Sequence, residues 1–120
     1  MARYLLECTI DPTKMHVLAA KRAEHYEFLI ARERDIVFGG PARAREDGPP
    51  QIMLIVVEAA SMQDAQAFID AEPYNSSGGF SSITIRLWNQ VIPELAAGSL
   101  QRTLDAERVS HTPKPGGLQR

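Results

Sequence analysis

Gln51 to Glu58 restricts the fold of this chain more than any other stretch. Read as a strand, it points Met53, Ile55 and Val57 one way and Ile52, Leu54 and Val56 the other. A strand apolar on both faces is stable only where both faces are covered. The chain has two clear amphipathic helical stretches, enough for one face of a sheet. Covering the second face calls for another sheet, and the economical source of one is a second copy of the same chain. The sequence therefore predicts a homodimer.

The other elements fit that frame. Ala2 to Ile10 alternates, with Tyr4, Leu6, Cys8 and Ile10 on one side, and reads as the first strand. Asp11-Pro12-Thr13 ends it and opens a helix, since Asp11 or Thr13 can cap and Pro12 is tolerated in a first turn. From Lys14 to about Arg34 a helical stripe runs through Met15, Leu18, Arg22, His25 and Leu29. Ile36-Val37-Phe38 is a short second strand meeting a glycine-shaped bend at Gly39-Gly40-Pro41. Asp47-Gly48 and Pro49-Pro50 connect it to the third strand as a long-looped hairpin. Ser61 and Asp64 form a capping box for a helix to Ala71, with Ala65, Phe68, Ile69 and Glu72 inward, and Pro73 stops it. Asn75 to Gly79 reads as a flexible loop, and Ser81 to Val91 as the fourth strand. The order is β-α-β-β-α-β, an α+β ferredoxin-like subunit with an antiparallel four-stranded sheet and two helices on one face.

Residues 1–94 form this domain and residues 95–120 a C-terminal extension. The first part carries net charge −4 and the second +2, too sparse for a polybasic tract. Leu100, Leu104 and Val109 suggest one short helix in the extension, and Pro113, Pro115, Gly116 and Gly117 follow it; this segment is a candidate to pack on the partner subunit. At 120 residues, 44% hydrophobic and 23% charged, the chain is an ordinary globular protein. Its charge of −2 leaves no electrostatic footprint for nucleic acid or an anionic membrane. No apolar run approaches a membrane span and no leader is visible, so a cytoplasmic location is expected. Cys8 is the only cysteine, which rules out an intrachain disulfide; it reads as a small hydrophobe in the first strand.

The chemistry concentrates in two motifs, Arg22-Ala23-Glu24-His25 and Glu72-Pro73-Tyr74. An imidazole and a carboxylate both aimed at a core are costly unless they pair or do chemistry. Imidazoles titrate near neutral pH, so His25 suits a general base that later returns its proton. Glu72 would orient the ring and stabilise its charged form. The plainer readings are a core histidine and a helix-end carboxylate, although a carboxylate at the negative end of a helix is disfavoured by the dipole. Arg22 either holds an anionic group with its forked donors or pairs with Glu72 or Asp70. Tyr74 either offers its hydroxyl to a pocket or covers a helix end. Gly39 and Gly40 serve backbone bending, or expose N–H groups that cradle an oxyanion. His16 and His111 show no acid or cysteine at ligand spacing, so no metal site is expected. No dinucleotide, phosphate-loop or nucleophile-elbow pattern is present, and no cofactor is required.

The order Arg22-x-x-His25, Gly39-Gly40-Pro41, then acid-Pro-Tyr at Glu72-Pro73-Tyr74, before a strand carrying Trp88, resembles the YCII (YciI-like) family over about residues 2–93. The resemblance implies a dimeric α+β barrel of ferredoxin-like subunits with an active site built on a His–Asp pair. The histidine falls on His25, and Glu72 stands where the family usually has Asp, one methylene longer. Relatives of that fold work on small ring compounds, so the resemblance suggests isomerisation or elimination on a small, anionic or cyclic metabolite. The competing expectation is a non-catalytic ligand-binding or scaffold homodimer.

Overall fold

The computed structural model describes residues 1–111. These fall into two compact units divided after Trp88. In the first, β1 (Ala2–Ile10) leads through a 3₁₀ turn at Pro12–Lys14 into α1 (Met15–Ala31). A second 3₁₀ turn at Glu33–Asp35 precedes β2 (Ile36–Arg43), which pairs with β3 (Pro50–Ala59). Then come α2 (Met62–Ala71), the one-turn α3 (Pro73–Ser76) and β4 (Phe80–Trp88). The sheet order is β2-β3-β1-β4 with every neighbouring pair antiparallel, which makes the unit an α+β ferredoxin-like fold.

Local chemistry sets the starts. The Asp11 carboxylate accepts from the Thr13 N–H at 2.9 Å and from the Thr13 hydroxyl at 2.7 Å, which turns the chain at the end of β1. The Ser61 hydroxyl accepts from the Asp64 N–H at 3.1 Å and caps α2. The ends deviate from the sequence pattern for geometric reasons. α1 stops at Ala31, and Arg32 to Asp35 tightens into 3₁₀ geometry before the sheet. β4 ends at Trp88, opposite Arg3, three residues short of Val91.

The expected bend at Gly39-Gly40-Pro41 does not occur. β2 runs straight through these residues, pairing Gly39 with Ile55, Gly40 with Leu54 and Pro41 with Met53. A Cβ on Gly39 would lie 3.0 Å from the Leu54 carbonyl oxygen, so the glycine permits close strand contact rather than a turn. Pro41 is tolerated because β2 is an edge strand.

Tyr4, Leu6, Cys8 and Ile10 of β1 meet Met53, Ile55 and Val57 of β3 beneath Leu18, Ala65, Phe68 and Ile69 of the helices. Leu6 is fully buried at the centre of this layer. Leu6→Ala is expected to cost about 2–5 kcal/mol, read as a lower denaturant midpoint at an unchanged slope.

On the opposite face no helix of this unit packs. Val56 is nonetheless fully buried, and the rings of Phe38 and Trp88, from the two edge strands, meet edge to face at 5.9 Å. Leu5, Ile52 and Leu54 are half-buried there.

The second unit holds α4 (Ser99–Ser110). Both oxygens of Glu94 accept backbone N–H bonds, from Gly98 at 2.9 Å and Leu100 at 3.1 Å, and these hold its carboxyl below the usual range. A carboxylate does stand at helical spacing from His111: Glu107 pairs with it at 2.7 Å. Leu100, Leu104 and Val109 are exposed. Pro113, Pro115, Gly116 and Gly117 lie outside the described residues. No described helix is long and apolar enough to cross a membrane.

Candidate active site

His25 and Glu72, 47 residues apart in sequence, meet in the core: the imidazole Nδ1 is hydrogen-bonded to Glu72 Oε1. His25 is 6% exposed and Glu72 is completely buried. The helical stripe of α1 delivers the ring, with Leu18 buried two turns earlier on the same face. With Nδ1 committed to the carboxylate, Nε2 has no partner among the described residues, and His25 lines a pocket of this unit.

Glu72 sits differently from the helix-end carboxylate the sequence suggests. It leaves α2 in an extended conformation, φ −68° and ψ 128°, and becomes the N-cap of α3. Its second oxygen, Oε2, accepts the Asn75 N–H at 3.2 Å. The carboxylate thus stands between the C-terminal end of α2 and the N-terminal end of α3, and the second offsets the dipole penalty of the first. One oxygen serves the histidine and the other serves the fold.

Tyr74 stacks on His25 with ring centroids 3.8 Å apart and planes 10° from parallel, and its edge meets Phe80 at 6.2 Å. Its hydroxyl has no hydrogen-bond partner among the described residues. The segment that follows is not a loose loop. The Asn75 side chain donates to the Ile69 carbonyl at 2.9 Å, and the Gly79 N–H donates to the Tyr74 carbonyl at 2.9 Å. Buried Gly79 lies under Leu18, and an added Cβ would fall 2.5 Å from Leu18 Cδ1 and 3.0 Å from the Tyr74 carbonyl oxygen. Gly79→Ala is expected to cost about 1–3 kcal/mol by displacing Leu18 or α3, seen as a lower thermal midpoint.

Arg22 is exposed at the pocket rim and makes no ion pair among the described residues. Glu72 is taken by His25, and Asp70 accepts from Gln66 at 2.8 Å. Gly39 and Gly40 form part of the pocket wall; a Cβ on Gly40 would meet nothing within 4 Å. The pocket holds about 670 Å³ and is bounded on its apolar sides by Leu29, Ile36 and Ile55. That volume is suited to a small-molecule ligand. Tyr26, Glu33 and Arg43 also line it, and no sequence motif pointed to them: they sit on elements whose facing depends on how β2 returns along α1. No group of three or more metal-binding side chains occurs among the described residues.

Cys8 lies in the core below the pair. Burial first, and the negative charge of Glu72 second, push its thiol up to about 12 from 9.0. The thiolate is the reactive form, so native Cys8 is expected to resist iodoacetamide at pH about 8 and to react on unfolding, scored by mass spectrometry. Because the folded pKa is raised, the stability contribution of the neutral thiol is complete below pH 9.0 and is lost as pH climbs towards about 12.

The fold and the pocket together describe a two-layer α+β domain with a buried His–carboxylate pair opening on a small cavity. The model of the YCII-related domain matches residues 2–89, and the chain belongs to that family. Among curated proteins no sequence matches it. A solved structure similar to it is 5-chloro-2-hydroxyhydroquinone dehydrochlorinase (TftG) from Burkholderia phenoliruptrix AC1100, in complex with 2,5-dihydroxybenzoquinone. It matches with a TM-score of 0.68 and 21% identity, over 73% of this chain and 94% of the other. Protein Atu4242 from Agrobacterium tumefaciens matches with a TM-score of 0.49 and 10% identity, over 79% of this chain and 98% of the other.

Proposed function

We propose that the chain is a cytoplasmic homodimeric enzyme that moves protons on a small anionic or cyclic metabolite, as an isomerase or a lyase. The observation that carries this reading is the division of labour on His25: Nδ1 is bound to buried Glu72, and Nε2 is left to the pocket. In this mechanism Nε2 takes a proton from a C–H or O–H of the ligand. Glu72 stabilises the imidazolium and holds the ring in one orientation. The electron pair released moves onto the substrate, where the Tyr74 hydroxyl and Arg22 meet the developing charge. The imidazolium then returns its proton to another atom of the substrate, giving an isomer; in an elimination a leaving group departs with its bonding pair and the imidazolium gives its proton to that group or to water. Gly39 and Gly40 leave the wall low enough for the ligand to approach. Proton transfer of this kind balances without a cofactor.

The family match and the likeness of fold to a dehydrochlorinase support the reaction class. The dimer is supported by the apolar face formed by Leu5, Ile52 and Leu54, on which no helix of the unit packs. A second reading, a binding module without catalysis, draws on one fact: Glu72 also caps α3 and so has a structural reason to be there. Incubating hydroxylated quinols and unsaturated ring lactones with the protein in D₂O, and following them by proton NMR, separates the two. Deuterium incorporation or turnover that disappears in His25→Ala supports the enzyme. Binding of 2,5-dihydroxybenzoquinone without turnover, indifferent to His25→Ala, supports the module.

A further inference from the structure

Two arginines line the same pocket, and one of them has no part in the mechanism above. Arg22 lies on α1; Arg43 closes β2, where it pairs with Pro50. β2 runs parallel to β1 in the sheet, and α1 runs back between them. The C-terminal end of β2 therefore lies on the side of the sheet where α1 begins, and Arg22, midway along α1, is nearer to that end than Glu33 is. Neither has an ion pair or hydrogen bond among the described residues, whereas neighbouring Arg45 is paired with Asp47 at 3.2 Å. Glu33 lines the cavity just beyond the C-terminus of α1, at the opposite end. Two cations without ion pairs among the described residues and one carboxylate towards the far end of the lining give the cavity a polarity: anionic groups are favoured on the arginine side and repelled on the other.

We infer that Arg22 and Arg43 form a two-guanidinium clasp that selects a dianionic ligand, with its two acidic groups on adjacent atoms and its uncharged part lying past His25 towards Glu33. The inference rests on the proposed acid–base reading only for the placement of the reacting atom beside His25; the clasp itself is a binding site.

Phthalate, with adjacent carboxylates, and benzoate, with one, serve as probes in calorimetric titrations of the full chain. Wild-type protein is expected to bind phthalate about tenfold more tightly than benzoate. Arg43→Gln is expected to lower phthalate affinity about tenfold, to leave benzoate within about threefold, and Arg43→Lys to restore part of the loss. Glu33→Gln should tighten both. Equal affinity for the two acids in the wild type, phthalate binding that ignores Arg43→Gln, or no binding of phthalate at all overturns the clasp. His25→Ala keeps the outcomes distinct. Arginine-dependent phthalate binding that survives in it, without turnover of any compound by the wild type, retains the clasp and removes the enzyme. Turnover of monoanions unaffected by Arg43→Gln does the reverse.

Discussion

Glu72→Gln is expected to lower turnover by about 10²–10⁴-fold while leaving the protein folded. The amide matches the carboxylate in size, and its oxygen still accepts one N–H. What it lacks is the negative charge that stabilises the imidazolium and makes Nδ1 the protonated nitrogen. The far-downfield Nδ1 proton expected in the NMR spectrum of the wild type should therefore vanish or move sharply upfield in the variant. His25→Ala should cost at least as much in rate, and the double variant should be no slower than His25→Ala alone, because the two groups act as one unit. Additive losses, or a Glu72→Gln protein as fast as the wild type, would show the pair to be a structural contact. Glu72→Ala is a different experiment. It removes the cap of α3 as well, and an added stability loss of about 0.5–2 kcal/mol should appear in denaturant titrations.

The second large effect concerns assembly. Leu54→Lys places an ammonium in the middle of the face opposite the helices, next to Glu7 in the ladder, where a subunit can hold it. An apolar interface cannot. The wild type is expected to sediment as a dimer and Leu54→Lys as a folded monomer, with an unchanged far-ultraviolet circular dichroism spectrum. A monomeric wild type, or a variant that remains dimeric, would leave Leu5, Ile52 and Leu54 without the role assigned to them.

Much of the fold is visible in alternation alone. β1 has the bounds its pattern implies, Ala2 to Ile10, because period-two alternation and the Asp11-Pro12 break both speak locally. The Gly39-Gly40-Pro41 stretch misleads for the converse reason: a glycine pair reads as a bend in sequence, yet here its lack of Cβ serves contact with a strand that comes later in the chain. α3 is hidden because Pro73 marks the end of one helix and the first residue of the next with equal force. In the site, the meeting of His25 with Glu72 follows from two polar side chains placed on inward stripes. The stacking of Tyr74, the second bond of Glu72 and the entry of Arg43 depend on distances set by the packed sheet, and no local spacing encodes them.

Glu72 answers to two masters, and this decides what would survive if the chain lost its substrate. Selection for a folded protein alone would keep the carboxylate, since it caps α3. The open Nε2 of His25 has no such second employment. On the proposed acid–base reading, a relative that retains the acid but has exchanged the histidine for an apolar residue would keep the scaffold without the chemistry, and the histidine, rather than the acid, is the position at which to read whether that chemistry is in use.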